Sequence, residues 1–454
     1  MRILLTVHQF LPDFHAGTEV LTLDVAKALR ARGHEVCVFT GHPARSGLED
    51  GQRFDRYTHE GIAVERFNHN HEPMGGETNA AALEYDNRFF AAYFRDYLNK
   101  VRPDVAHFFH LQRLSASAID VCQALGIPMV LTPTDFWLVC PTNQLLLPDH
   151  TLCSGPDGQS VNCLRHVVAL TQPTLVKAGL DLVPDRLLAA MIGSLAKGVL
   201  PRQKHASYVR ALRERPQFMK SRVRRVGRVT APTRLMADIL AKNGYETANI
   251  VFLPFGINQE GLHRKPVSNS DARLRVGFIG TLYEHKGAHV LLTAVRSLPD
   301  DFPIEVKIHG DLGAFPDYVA RLRRIAANDS RVAFCGMFES RRISEVLAGL
   351  DVLVVPSIWY ENTPLVIYSA QACGCPIIAS NLGGMSEAVA HEENGLLFKA
   401  GDAADLARTI RRLAEDRGLL RRLEKNARKP KSIAQYAGEL ENVYTELLME
   451  RHAA

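Results

Sequence analysis

The sequence predicts an α/β protein made of two successive blocks of parallel sheet covered by helices. Three observations carry this. Short apolar runs such as Ile3 to Val7 and Val352 to Val355 recur along the chain, and stretches with helical spacing separate them. A polar stretch, 259–272, with Pro266, Asn269 and Ser270, divides the two blocks as a linker. Finally, 454 residues exceed what a single core usually serves. At 46% hydrophobic and 23% charged, the composition is that of an ordinary folded protein.

In the first block, Ile3 to Val7 reads as a strand and His8 to Thr18 as a loop. Leu21, Val25, Ala28 and Leu29 then keep helical spacing until Gly33-His34 stops it. Glu35 to Thr40 is the next strand, followed by a helix from about Ala80 to Asn99 and the strand Val105 to Phe109. A helix over Ala116 to Leu125 leads to the strand Pro128 to Thr132. The rhythm fails over 136–226, which reads as an insertion or cap. It resumes at Arg228 to Ala231 and Ile250 to Leu253. Strands joined by helices of this length imply parallel βαβ units.

The second block begins at Leu274 to Ile279 and continues through strands at Ile304 to Ile308, Arg331 to Phe334, Val352 to Val355 and Pro376 to Ala379. Leu406, Ile410, Leu413 and Leu423 mark helices near its end, and a last helix from about Ile433 to Glu450 can return to the first block. The expected domains are 1–258 with the insertion, 273–428, and the helix-bearing tail 430–454. Two Rossmann-like domains facing each other across a cleft follow from this pattern.

Open α/β sheets bind ligands beyond the carboxyl ends of their strands, so chemistry is expected in the loops there. Gly280-Thr281-Leu282-Tyr283-Glu284-His285-Lys286-Gly287 follows a strand and opens a helix. Its glycines let a phosphate approach the backbone, helix N–H groups favour the anion, and Lys286 adds a point charge. It is neither a Walker A loop nor a G-x-G-x-x-G fingerprint. Glu361, with Asn362, Thr363, Pro364 and Leu365, lies just past the strand Val352 to Val355. Its carboxylate can accept hydrogen bonds from vicinal sugar hydroxyls, or simply favour a helix start. Gly383-Gly384 and His309-Gly310-Asp311 end two further strands on the same expected edge.

In the first block, Gly17 and Thr18 precede a helix and offer backbone N–H groups to a phosphate, while Glu19 can cap it. Thr134-Asp135 and His110 end neighbouring strands and suit an acceptor or a catalytic pair. Cys140, Cys153, Cys163 and His166, spaced C-x12-C-x9-C-x2-H, can form a structural zinc site, an iron–sulfur centre, or a set of free, partly buried thiols.

These stretches, in this order, resemble glycosyltransferase family 4, the GT-B enzymes of group 1. The resemblance rests on Phe10-Leu11-Pro12 with Gly17-Thr18-Glu19, on Arg32-Gly33-His34-Glu35-Val36, and on Thr134-Asp135-Phe136-Trp137. Gly280 with Lys286-Gly287, Pro356-Ser357 with Glu361 to Val366, and Gly383-Gly384 with Glu387 complete it. It implies a GT-B fold and a sugar transferred from a nucleotide-sugar donor with retention of configuration. The donor is held mainly by the C-terminal domain, and no divalent metal is required for chemistry. The implied catalytic residues are Lys286, Glu361 and Asp135. Gly17, Thr18, Gly280, Thr281, Asn362, Thr363, Pro364, Leu365 and Ser369 join Lys286 and Glu361 in holding the donor. Three positions depart from the family. Thr134 stands for a common histidine, Thr281 for a common arginine, and Ser369 for the second of two glutamates. Hence a non-catalytic, nucleotide-sugar-binding partner subunit is the alternative, with an epimerase or phosphorylase of similar fold behind it.

Acceptor and location follow less directly. The net charge of +5 is mild, but Gly193 to Arg234 holds 12 Lys or Arg residues against one acid, Glu214. That run suits an anionic membrane surface, and with it a glycan or lipid-linked acceptor in cell-surface polysaccharide synthesis. It lacks the aromatic interleaving of a nucleic-acid binder. His8, Pro12 and Asp13 break the first apolar run too early for a signal peptide. Eight scattered cysteines and the lack of an 18-residue apolar run suggest a cytoplasmic protein, attached if at all to the inner membrane face.

Overall fold

A computed structural model describes residues 1–196, 204–264 and 273–453. Part of the basic run (197–203) and part of the linker (265–272, with Pro266, Asn269 and Ser270) lie outside the described residues. The chain forms two compact units, Met1–Pro254 with Ile433–Ala454, and Phe255–Ser432.

The first unit holds an eight-stranded sheet: β1 (Arg2–Val7), β2 (Glu35–Pro43), β3 (Phe54–His59), β4 (Ile62–His69), β5 (Val105–Phe108), β6 (Met129–Leu131), β7 (Arg228–Ala231) and β8 (Ile250–Phe252). Their order is β3-β4-β2-β1-β5-β6-β7-β8. β1 is central because Ile3 to Val7 is buried on both faces, as a doubly covered parallel strand requires. Ile3 pairs with Val36 on one side and Val105 on the other.

The hairpin β3–β4 was not expected from the sequence. It is the antiparallel edge of the sheet, turned at Glu60-Gly61, both at positive φ (47° and 75°). Its signal was present: Ile62, Val64 and Phe67 face the core while Ala63 and Arg66 do not. The helix expected over Ala80 to Asn99 is two, Ala80–Leu83 and Arg88–Val101. Asn87 makes the break, because its side-chain oxygen caps the second helix by accepting from the Phe90 N–H at 2.9 Å.

The 136–226 segment joins β6 to β7, which are neighbours in the sheet. It contains helices Val161–Thr171, Thr174–Asp181, Asp185–Ala196 and Lys204–Val223. Val161, Leu164, Val167, Leu188, Ile192 and Leu212 give this cap a small core of its own. The last helix, Ile433–Ala453, belongs to the first unit. Tyr436, Leu440 and Tyr444 are buried on it, and the Tyr444 hydroxyl lies 2.6 Å from His107 Nδ1. Thr132 Oγ1 meets the other ring nitrogen at 2.7 Å. Burial pushes this imidazole down to about 3, so it is a neutral structural histidine.

The second unit is a six-stranded parallel sheet of β9 (Leu274–Ile279), β10 (Ile304–His309), β11 (Val332–Gly336), β12 (Val352–Val355), β13 (Ile377–Ser380) and β14 (Gly395–Phe398). The order is β11-β10-β9-β12-β13-β14. β14, directly after the turn at Glu392 to Asn394, was not expected from the sequence. The chain lays β10 and β11 to one side of β9, then returns to place β12, β13 and β14 on the other. The carboxyl ends of β9 and β12 therefore flank the topological switch point, where loops diverge and leave room for a ligand.

Candidate functional site

Both second-unit loops singled out in the sequence leave the sheet at this switch point. Gly280 follows β9, and the segment Pro356 to Pro364 follows β12. Their side chains meet: Lys286 Nζ donates to Glu361 Oε1 at 2.6 Å. Ser357 Oγ donates to the same oxygen at 2.8 Å. Glu361 is 5% exposed. Burial alone would raise its carboxyl, but the Lys286 charge and the hydrogen bonds outweigh that and hold it below the usual glutamate range. The Lys286 ammonium also lies 5.3 Å from the centre of the Trp359 ring. His285 packs on that ring at 4.6 Å, and burial with the Lys286 charge pushes its imidazole down to about 3.

Two glycines make this approach possible. Gly287 sits at φ 73°, and a Cβ there would lie 1.9 Å from the Pro356 carbonyl oxygen. A Cβ on Gly384 would fall 1.4 Å from the Asn362 carbonyl oxygen, while its N–H donates to the Glu361 carbonyl at 2.9 Å. Only glycine lets these three loops close on one another. Asn362 and Thr363 are buried beside Glu361, and Pro364 and Leu365 open the helix Leu365–Ala372. Ser369 lies one turn in, its hydroxyl donating to the Leu365 carbonyl at 3.3 Å. Thr281 follows Gly280, whose N–H donates to the His309 carbonyl, so the His309-Gly310 loop sits beside the Gly280 loop.

In the first unit, β1, β5 and β6 end on a second polar cluster. His110 Nε2 lies 2.8 Å from Asp135 Oδ2, and Asp135 Oδ1 accepts from the Trp137 N–H at 2.8 Å. Thr134 donates to the Phe109 carbonyl. Gly17 and Thr18 lead helix Gly17–Ala31, which has no side-chain cap. Glu19 does not cap it. Its carboxyl is fully buried, 3.5 Å from His8 Nε2, and burial raises it. His8 and Arg113 are members that the sequence reading missed. The His8 ring is 4.3 Å from that of His110, and Arg113 Nη1 donates to the Gln9 side chain at 2.8 Å. His8 had a legible signal, being the first residue after β1.

Cys140, Cys153, Cys163 and His166, read from the sequence as a structural metal site, an iron–sulfur centre or a set of free thiols, lie close together. All four line one small pocket. Yet no three His, Cys, Asp or Glu side chains converge as a metal would require, among the described residues. The sulfur of Cys153 is taken up by the Gly155 N–H at 3.4 Å. Burial, then the neighbouring thiols, push the Cys163 thiol up to about 12, which favours the protonated form.

Comparison with known proteins bears on both units. The description "Glycosyl transferase 4-like domain" matches residues 16–175, and "Glycosyl transferases group 1" matches 259–430. The D-inositol 3-phosphate glycosyltransferase of Corynebacterium jeikeium is 36% identical over 149 residues, 31% of this chain and 35% of that protein. The chain spans less than half the length of the curated relatives it matches. Among solved structures, sucrose-phosphate synthase from Thermosynechococcus elongatus superposes with a TM-score of 0.67 at 19% identity, over 99% of both chains. Anabaena HepE, solved in complex with UDP, superposes at 0.65 and 18% identity, over 98% of this chain and 100% of that one. The two sheets, the two matched domains and these superpositions make the chain a member of the group 1, family 4-type glycosyltransferases with a GT-B fold.

Proposed function

We propose that this protein is a retaining glycosyltransferase that takes its sugar from a nucleotide-sugar donor. The observation that carries the reading is the Lys286–Glu361 pair at the switch point of the second sheet. A buried ion pair there is hard to explain as a stability device, because desolvation offsets much of its attraction. As a binding device it supplies a cation for a diphosphate and a carboxylate for sugar hydroxyls. Lys286 and the N–H groups of the adjacent helix start would stabilise charge growing on the departing phosphate. Glu361 would orient the sugar ring. The route that fits this pair is front-face transfer assisted by the leaving phosphate. The UDP in the HepE structure supports a nucleotide as the ligand class.

His110, Asp135 and the cluster around them are suited to the acceptor, a glycan or lipid-linked molecule of the cell envelope handled on the cytoplasmic side. A second reading, a nucleotide-sugar-binding partner without turnover, is favoured by Ser369, whose short hydroxyl is already used within its own helix. One experiment separates them: purified protein is screened against nucleotide sugars while binding and sugar loss are both followed. Binding with slow sugar release supports the enzyme. Binding without release under any acceptor supports the partner subunit, and no binding rejects both.

A further inference from the structure

The basic run 193–234 looks unneutralised in sequence, but folding brings acids to it from elsewhere. Arg222 and Arg225 both reach Asp120, at 3.1 and 2.6 Å. Arg224 pairs with Glu246 at 2.7 Å, and the buried Arg215 pairs with Glu84 at 3.1 Å. What stands out instead is apolar and lies just before it. Leu170, Leu175, Val176, Leu182, Leu187 and Met191 are 49–87% exposed, half of the exposed large hydrophobic side chains among the described residues. They cluster on helix Thr174–Asp181 and its two flanks, and none of that helix's own residues is buried.

This projection is held in place rather than frayed. Its flanking helices are anchored by the small core on Leu212. Arg165 staples the turn, donating to the Leu180 carbonyl at 2.7 Å and to Asp185 at 2.7 Å. The same guanidinium lies 3.6 Å from Asp181, so Asp181 and Asp185, the two acids of the projection, share it as a partner. Lys177 and Arg186 remain, and neither makes an ion pair among the described residues. The projection thus presents leucines with cations and no uncommitted carboxylate.

We propose that the segment 170–191 is a membrane-docking element that seats in the headgroup region of an anionic bilayer. A folded protein partner covers one face of a helix, whereas every residue of Thr174–Asp181 except the half-buried Leu180 is exposed, as suits a fluid phase that surrounds it. Leu175, Val176 and Leu182 enter the acyl boundary while Lys177 and Arg186 reach lipid phosphates. No described helix is long and apolar enough to cross a membrane, so the contact is peripheral.

The test is flotation of the full chain with phosphatidylcholine vesicles, with and without phosphatidylglycerol. Wild type should float with the anionic vesicles. Leu175→Gln with Leu182→Gln should lower vesicle affinity by about tenfold or more, since both side chains lose apolar burial. Lys177→Gln with Arg186→Gln should cost a few-fold, on anionic vesicles only, and raised salt should mimic it. Arg222→Gln with Arg225→Gln should bind like wild type. All the altered side chains are at least partly exposed, so unchanged circular dichroism melting serves as the folding control. Failure of wild type to float, or flotation of the leucine variant at wild-type affinity, overturns the proposal. A dimer by light scattering that the leucine variant abolishes, with lipid binding intact, assigns the patch to a second copy instead.

Discussion

Two ion pairs in this chain share their chemistry and differ in their setting. Lys286 and Glu361 meet at the mouth of the second sheet, with the carboxylate 5% exposed. Arg222 and Arg225 grip Asp120 at the surface of the helical cap, where the acid's side chain is 33% exposed. Water and salt screen the second group, and such pairs contribute little. In the first, solvent has been removed and the charge is aimed by three closely packed loops. A fold does not need a charge in that position; a ligand does. The cations Lys286 and Arg222 are about equally exposed, at 25% and 23%, so the buried carboxylate and its place at the switch point, rather than charge count, separate the two groups.

The comparison breaks most readily at Lys286. Lys286→Met and Glu361→Gln should each depress turnover by roughly 10–1000-fold, the range for lost transition-state contacts. Near-wild-type steady-state kinetics in both would remove the assignment. The same pair predicts a pH signature. With its pKa depressed in the folded protein, Glu361 contributes stability that is complete above the ordinary glutamate value, 4.5, and is lost as pH falls through the lower folded value. Without Lys286 the dominant influence is burial, which raises the carboxyl, so the sign reverses. Thermal midpoints of Lys286→Met should fall as pH climbs above 4.5, where this pair in the wild type adds no slope.

Gly384→Ala sharpens the contrast from the packing side. A Cβ 1.4 Å from a backbone oxygen forces the Glu361 loop to move. We expect a loss of about 1–3 kcal/mol in denaturant unfolding and weaker nucleotide binding with it. In the first unit, Tyr444→Phe should cost about 1–3 kcal/mol, because it leaves the buried His107 Nδ1 without its partner. The smallest effect belongs to the surface group: Arg222→Ala should change stability by no more than about 1 kcal/mol and leave turnover untouched. A larger change would mean that the cap charges matter more than their exposure suggests.

Much of this was legible because its causes are local. The strand Val352 to Val355 has the bounds expected of it, since a four-residue apolar run between polar loops admits few other readings. Glycines at 280, 287, 383 and 384 marked the loops, and Lys286 and Glu361 were each singled out from their own surroundings. The hairpin β3–β4 escaped because its alternation is interrupted by a buried polar residue, Glu65. The break at Asn87 was hidden inside an apolar helical pattern. Arg113 became a site candidate only once strands distant in sequence were set side by side.

The sequence by itself determined the alternation of strand and helix, the two blocks and the loops able to admit a phosphate, because periodicity and turn chemistry act over a few residues. Tertiary structure alone decided that Lys286 reaches Glu361, that Asp120 pairs with Arg222 and Arg225 and Glu246 with Arg224, and that Leu175 and Leu182 stay uncovered. Those facts depend on which strands are neighbours and which faces find a partner, and neighbours in space are set by the packing of the whole sheet.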